Sequence, residues 1–269
     1  MHHLARVLVL ALAISCQTNQ LTGRSQLLMQ SEEQMVQLGE QAYLEMTVND
    51  KSVKIVTDAR LVDPLMRVGN ALAAAADKPD YNWEFKLIDA PDTANAWALP
   101  GGKIAFYTGI YPIIEDEAGM AIVMGHEIMH ALLQHSNERM SQNQLVAAGL
   151  AVGSVAVGVS DVKYKGAIIG ALGAGAAFGI ILPYSRKHES EADQYGLYLA
   201  AKAGYDPEAG IRVWENMAKL SEGKRPPVLL STHPDPLERA ADMREWMAEA
   251  KRYYEQSPKK DNRKLPAVK

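Results

Sequence analysis

The run AIVMGHEIMHALLQHS, residues 121–136, places His126, Glu127 and His130 in an otherwise apolar stretch. On an α-helix His126 and His130 stand one turn apart and differ by only ~40° around the axis, so both imidazoles can reach one ion. Glu127 is rotated by ~60° from His130, which puts its carboxylate beside such an ion without making it a ligand. This is the H-E-x-x-H arrangement, in which the carboxylate takes a proton from metal-bound water. Three fixed positions in five also arise by chance, and the plain alternative is a helix whose polar residues face water.

A zinc site with an open catalytic position needs a third protein ligand. The metzincin pattern would supply a histidine six residues after His130 and a glycine three after it, but those positions hold Ser136 and Leu133. His135 is out of register and reads as a helix-end residue near the C-terminal dipole. Further along, YSRKHESEADQYG sets Glu189 and Asp193 four apart on an expected helix, so both face one way. Glu189 can then be the third ligand. Asp193 can accept a hydrogen bond from the outer ring nitrogen of a ligand histidine, fixing its tautomer. Glu191 points elsewhere and reads as solvated. The plain alternative for this stretch is a charged helix face.

These residues need elements to hold them. Ser31 through Gln34 have capping-box form, and Met35, Leu38, Ala42 and Met46 continue at helical spacing. Leu61, Leu65, Val68 and Leu72 mark a second helix. YNWEFKLID alternates Trp83, Phe85 and Leu87 with polar neighbours and predicts a strand. ANAWALPGGKIAFYTGIY predicts two strand segments joined at Pro100-Gly101-Gly102. The motif helix is expected over 115–136, with later helices over 186–203, 207–221 and 236–256. The fold class is therefore α+β and mainly helical, with a small antiparallel sheet beside the active-site helix. Two apolar, glycine-bearing runs, 145–159 and 167–182, each fall short of the ~20 residues that cross a bilayer. A buried helical hairpin packed on the motif helix is the expectation for them.

With 269 residues, 48% hydrophobic and 22% charged, the chain is long and apolar enough for one sizeable core. A net charge of -4 gives no electrostatic footprint for nucleic acid. Residues 1–15 carry Arg6 and then a short apolar run, which reads as a signal peptide. The run ends at Ala13-Ile14-Ser15-Cys16, a lipoprotein-type cleavage site with Cys16, the sole cysteine, as the lipidated residue. The expected organisation is a signal over 1–15, a tether over 16–30, one metallopeptidase domain over 31–256 and a disordered tail over 257–269. The expected location is outside the cytoplasm, in the periplasm, on a lipid anchor to the outer membrane, with no spanning helix.

GHEIMH, the glycine-rich run, SRKHESEAD, ALPGGKIAFYTG and LLSTHPDPLERA, in their observed order, resemble the zinc metallopeptidases related to the heat-shock protease HtpX and the CAAX prenyl protease. The last two segments resemble the soluble, exported branch typified by BepA and LoiP. The resemblance implies a gluzincin fold, one Zn²⁺ held by His126, His130 and Glu189, and Glu127 as catalytic base. It implies a zinc-dependent endopeptidase acting on unfolded or misassembled envelope proteins. It also implies that His233, in the THP motif, reaches the zinc as a fourth ligand or stabilises the oxyanion. A chaperone-like assembly factor with an autoinhibited zinc site is the alternative. The chain stops where BepA-like proteins continue into tetratricopeptide repeats, so no repeat-borne partner surface is expected. For a polypeptide substrate, a strand formed by Lys103, Ile104, Ala105, Phe106, Tyr107 and Thr108 is the expected partner for backbone pairing.

Overall fold

A computed structural model describes residues 16–156, 185–221, 228–233 and 235–268. The signal segment 1–15 and most of the two glycine-rich runs lie outside the described residues. Where the first run is described it is not buried, since Val146 is 62% exposed. Among the described residues no helix is long and apolar enough to cross a membrane.

The described residues open with a short antiparallel hairpin, β1 (Cys16–Thr18) and β2 (Ser25–Leu27). Helix α1 (Glu32–Leu44) starts at the expected capping box: Ser31 accepts from the Gln34 N–H, and the Gln34 side chain accepts from the Ser31 N–H. A single turn at Glu45–Asn49 leads to α2 (Ala59–Ala76), capped by Asp58. Strands β3 (Glu84–Ile88), β4 (Ala96–Leu99) and β5 (Lys103–Tyr107) follow. Then come α3 (Tyr111–Ile114), α4 (Glu117–Leu132), α5 (His135–Ala156), α6 (Arg186–Lys202), α7 (Ala209–Ser221), α8 (Leu229–Thr232) and α9 (Pro236–Gln256).

The order in the main sheet is β3-β5-β4. Gly101 and Gly102, at φ 90° and 85°, turn β4 back into β5, and that pair is antiparallel as expected. The β3–β5 pair is parallel, so the sheet is mixed. The cause is the connection between Ile88 and Ala96, which carries β4 one strand-width away and leaves β5 to fill the gap. The sheet packs with α2 against α4, whose every residue from Glu117 to Ala131 is buried. A helix buried all round needs no polar face, which is why the histidines and glutamate on it must find partners inside the protein.

Three boundaries differ from expectation. The motif helix ends at Leu132, because Gln134 takes a left-handed conformation (φ 54°) and turns the chain into α5 at His135. The 16–30 segment is not a free tether: Gln26 Nε2 donates to the Leu133 carbonyl at 2.8 Å, and the Met29 N–H to Ser141 Oγ at 2.8 Å. The 257–269 segment, expected to be disordered, crosses the start of α4 over its described residues. There the Glu117 N–H donates to the Arg263 carbonyl at 2.8 Å and the Leu265 N–H to that of Glu115 at 3.0 Å. Backbone donors at a buried helix start need acceptors, and the tail supplies one.

Candidate metal centre

Helices α4 and α6 cross at two glycines. A Cβ on Gly125 would lie 2.7 Å from the Gly196 carbonyl oxygen, and one on Gly196 2.7 Å from the His126 nitrogen. Only that close an approach lets Glu189, in the first turn of α6, meet the histidines of α4. His126, His130, Glu189 and His233 are all buried, and one ligand-type atom from each lies within 4.8 Å of all the others. His126 Nε2 is 2.9 Å from His130 Nε2 and 3.1 Å from His233 Nδ1. Glu189 Oε2 is 2.9 Å from His233 Nδ1 and 3.6 Å from His126 Nε2, and its Oε1 is 3.4 Å from His130 Nε2.

This donor set fits zinc. Four ligands at tetrahedral zinc distances stand about 3.3 Å apart, within the observed spread. The outer ring nitrogens are engaged as well, and Arg239 Nη2 also lies 2.9 Å from His126 Nδ1. His126 Nδ1 is 2.9 Å from Asp193 Oδ1, and His130 Nδ1 is 2.9 Å from His135 Nδ1. With those nitrogens protonated, the two Nε2 atoms face each other as bare lone pairs, a contact that a shared cation relieves. Burial holds both rings well below the ordinary histidine pKa, hence neutral and ready to ligate. Burial also opposes ionisation of Glu189, but His233 and Arg239 outweigh it and hold the carboxyl well below its usual range.

Glu127 lies beside the cluster and is not in it. Its Oε1 is 3.5 Å from His233 Nε2 and has no hydrogen-bond partner among the described residues. Burial raises its pKa to about 7, where a carboxylate can take and return a proton near neutrality. His233 directly follows α8, which is tied to the connection between β3 and β4 by the Leu229 N–H on the Ala94 carbonyl at 3.2 Å. His233 completes the group of four that could hold a metal ion. Burial lowers its pKa, yet the carboxylates of Glu189 and Glu127 outweigh that and raise it above the ordinary value.

Asp193 stands where the helix spacing puts it, on the outer nitrogen of His126. Its own partner is a residue the sequence reading missed. Arg239, in α9, donates from Nε to Asp193 Oδ2 at 2.7 Å and from Nη2 to Oδ1 at 2.6 Å. Its Nη1 lies 3.0 Å from Glu189 Oε2, at an angle too poor for a hydrogen bond, and its guanidinium stacks 3.4 Å over Trp214. Even so, burial pushes Asp193 up to about 6. The available signal was an arginine four residues before Met243 on the buried face of α9.

Three readings are corrected. His135 is not a helix-end residue facing the dipole; the turn at Gln134 folds it back onto His130. Glu191 is not solvated, because His135 Nε2 lies 3.1 Å from its Oε2 and Arg24 Nε donates to its Oε1 at 2.7 Å. Lys103, Ile104, Ala105, Phe106 and Tyr107 form the central strand β5, hydrogen-bonded on both sides, and Thr108 starts the turn after it. No substrate strand can pair there. The strand on the edge towards Glu127 is β4. Cys16 is exposed at the start of β1.

A buried histidine pair on one helix, a carboxylate from a second helix and an uncommitted glutamate beside them define a metallopeptidase-type centre. Comparison with known proteins agrees: the profile of peptidase family M48 matches residues 62–247, and the chain belongs to that family. It is 36% identical over 186 residues to the mitochondrial metalloendopeptidase OMA1 of Schizosaccharomyces pombe, covering 68% of this chain and 52% of that protein. It is 31% identical over 208 residues to a putative beta-barrel assembly-enhancing protease of Vibrio cholerae, covering 76% of this chain and 42% of the relative. The beta-barrel assembly-enhancing protease of Escherichia coli is 29% identical over 198 residues, with 72% and 40% covered. The chain thus spans about half the length, or less, of these relatives. Bacterial assembly-enhancing proteases and mitochondrial metalloendopeptidases both match, and the mitochondrial ones are not anticipated by the resemblance.

Proposed function

We propose that the chain is a zinc-dependent endopeptidase that cuts extended segments of unfolded or misassembled envelope proteins. His126, His130 and Glu189 hold the metal, and Glu127 is the catalytic base. The observation that carries this is the Glu127 Oε1 atom, buried and without a hydrogen-bond partner beside four converging metal-ligand atoms. Zinc, when bound, supplies a Lewis acid that acidifies water and polarises a carbonyl oxygen. Glu127 accepts the proton of the attacking water and passes it to the leaving amine. The edge of β4, at Ala96–Leu99, pairs with the backbone of the substrate, and such pairing reads extended chain more than side chains.

The test is Glu127→Gln. The variant is expected to bind zinc with wild-type stoichiometry and to lose cleavage of an unfolded protein by at least about 100-fold. Normal cleavage by it would remove the assignment.

His233 supports a second feature of this reading. With its Nδ1 in the fourth corner the site is closed, in the manner of a structural zinc site. Withdrawal of the segment that follows α8 would open it. His233→Ala is therefore expected to cleave faster than wild type at saturating zinc; a slower variant would make His233 a helper of the reaction. An assembly factor whose zinc is held shut is the second reading, favoured by the same contact. It requires that Glu127→Gln still performs the cellular task.

Export and lipid anchoring through Cys16 complete the proposal. They are supported by the apolar start of the chain, the exposure of Cys16 and the bacterial relatives. The intact mass of membrane-extracted protein, compared with a Cys16→Ser variant, tests it.

A further inference from the structure

The outer nitrogen of His130 meets a neutral histidine where His126 meets a carboxylate, and what stands behind that histidine is the subject of no motif. With its Nε2 facing the cluster, His130 has its proton on Nδ1 and donates it to His135 Nδ1, 2.9 Å away. His135 then keeps its own proton on Nε2, which is 3.1 Å from Glu191 Oε2. Glu191 is clamped by Arg24, from Nε to Oε1 at 2.7 Å and from Nη2 to Oε2 at 2.9 Å. The donors thus run one way, from ligand to neutral relay to carboxylate, and the carboxylate is fixed by a guanidinium. Arg24 also grips Glu138 at the start of α5, through Nη1 at 2.6 Å and Nη2 at 2.7 Å. His188 Nε2 lies 3.2 Å from the same carboxylate, and its ring stacks on His135 with centroids 4.4 Å apart.

Arg24 belongs to the N-terminal hairpin, far from the centre in sequence. The hairpin is docked at three places that hold it in register. Gln26 Nε2 donates to the Leu133 carbonyl at 2.8 Å, which caps the end of α4, and to Glu138 Oε2 at 2.9 Å. The Tyr195 hydroxyl of α6 donates to the Leu21 carbonyl at 2.9 Å. One hairpin therefore touches α4, α5 and α6, two of which carry the ligands His126, His130 and Glu189.

We propose that Arg24 is a positioning residue of the metal centre: the N-terminal hairpin locks the His135–Glu191 pair and so sets the tautomer and angle of His130. This rests on the zinc reading above. Without Arg24, Glu138 and Glu191 lose the cation they share, in a site too buried for water to replace it fully. Glu191 would swing towards solvent, His135 would lose its acceptor, and the His130 ring would lose its brace. Outer partners of ligand histidines typically contribute 10–100-fold to metal affinity.

The experiment measures zinc affinity by chelator competition for wild type, Arg24→Ala, Arg24→Lys, His135→Ala and the Arg24→Ala/His135→Ala double variant. The exposed Arg60→Ala serves as control. Arg24→Ala is expected to bind zinc about 10–100-fold more weakly, and the double variant no more weakly than His135→Ala alone, because both act along one line. In the cobalt-substituted protein, the exchangeable ring N–H signal of His130 should broaden in Arg24→Ala while that of His126 remains sharp. A merely structural role would move both signals or neither. Lysine can satisfy one carboxylate only, so Arg24→Lys should lose several-fold; it decides the matter if the alanine variant does not fold. Wild-type affinity in the Arg24 variants, or additive losses in the double variant, overturns the proposal. A wild type that binds no zinc instead overturns the zinc reading, and this proposal with it.

Discussion

His126 and His130 sit one turn apart on the same buried helix, yet they are braced from opposite sides in different ways. His126 leans directly on Asp193, which Arg239 holds through two hydrogen bonds; every member is buried, and α6 and α9 supply the partners. His130 leans on His135, then Glu191, then Arg24, whose side chain is 14% exposed. Both lines end in an arginine on a carboxylate, on the side of each ring away from the cluster. They differ in what anchors the arginine. Arg239 grows from the long helix α9 and stacks on Trp214 inside the core. Arg24 hangs on a hairpin of a few residues that docks from outside. One brace grows from a long helix in the core, and the other is carried by a short hairpin at its edge.

That contrast can be broken at its strong end first. Arg239→Ala leaves Asp193 and Glu189 buried without their shared cation, an uncompensated state that costs about 3–5 kcal/mol. The expected outcome is a large fall in Tm together with loss of zinc, read by calorimetry and metal analysis. A variant that folds normally and differs only in zinc affinity would mean that the two braces are alike. Gly196→Ala comes next, because its Cβ would press on the His126 backbone, which has little room to yield. Overpacking of this kind costs about 1–3 kcal/mol. It should part α4 from α6 and weaken zinc through both histidine lines equally, whereas Arg24 variants should weaken one.

Acid gives the smallest and most selective effect. Burial alone would raise the pKa of Glu138 and Glu191, but His188 and Arg24 outweigh it at Glu138, and His135 and Arg24 outweigh it at Glu191. Both end below the ordinary 4.5, Glu191 at about 2. A carboxyl depressed in the folded state adds stability that is fully present above its unfolded pKa and is lost as pH falls through the folded one. The hairpin should therefore stay docked at pH 5 and let go between about pH 4 and 2, seen as faster hydrogen exchange at its amides. Release already at pH 6 would contradict the ion-pair account of the outer brace.

Much of the inner centre was legible beforehand. His126, Glu127 and His130 share one helix, and Glu189 and Asp193 share another, so helical periodicity alone sets their relative directions. The capping box at Ser31 and the glycine turn at Gly101 and Gly102 were legible for the same reason: a few neighbouring residues decide them. The strand that faces the site was misplaced, because residue pattern shows that a segment is a strand and not which of its edges is already paired. His135 was misread because helical register was extended through Gln134, and nothing local announces that Gln134 turns left-handed. Arg24 carried no motif of its own, and Arg239 lies within LLSTHPDPLERA, where only His233 drew a role.

The sequence by itself determined the chemistry available: which side chains can ligate, which can take a proton, and which turn of which helix each occupies. Those are short-range matters, governed by a rise and a rotation per residue. The tertiary structure decided which of these groups converge, that His233 joins them, that β4 is the edge strand on the Glu127 side, and that an N-terminal arginine stands behind His130, over a hundred residues away. Such pairings depend on how closely whole helices approach and where chain ends dock, and packing settles both only when the complete core is assembled.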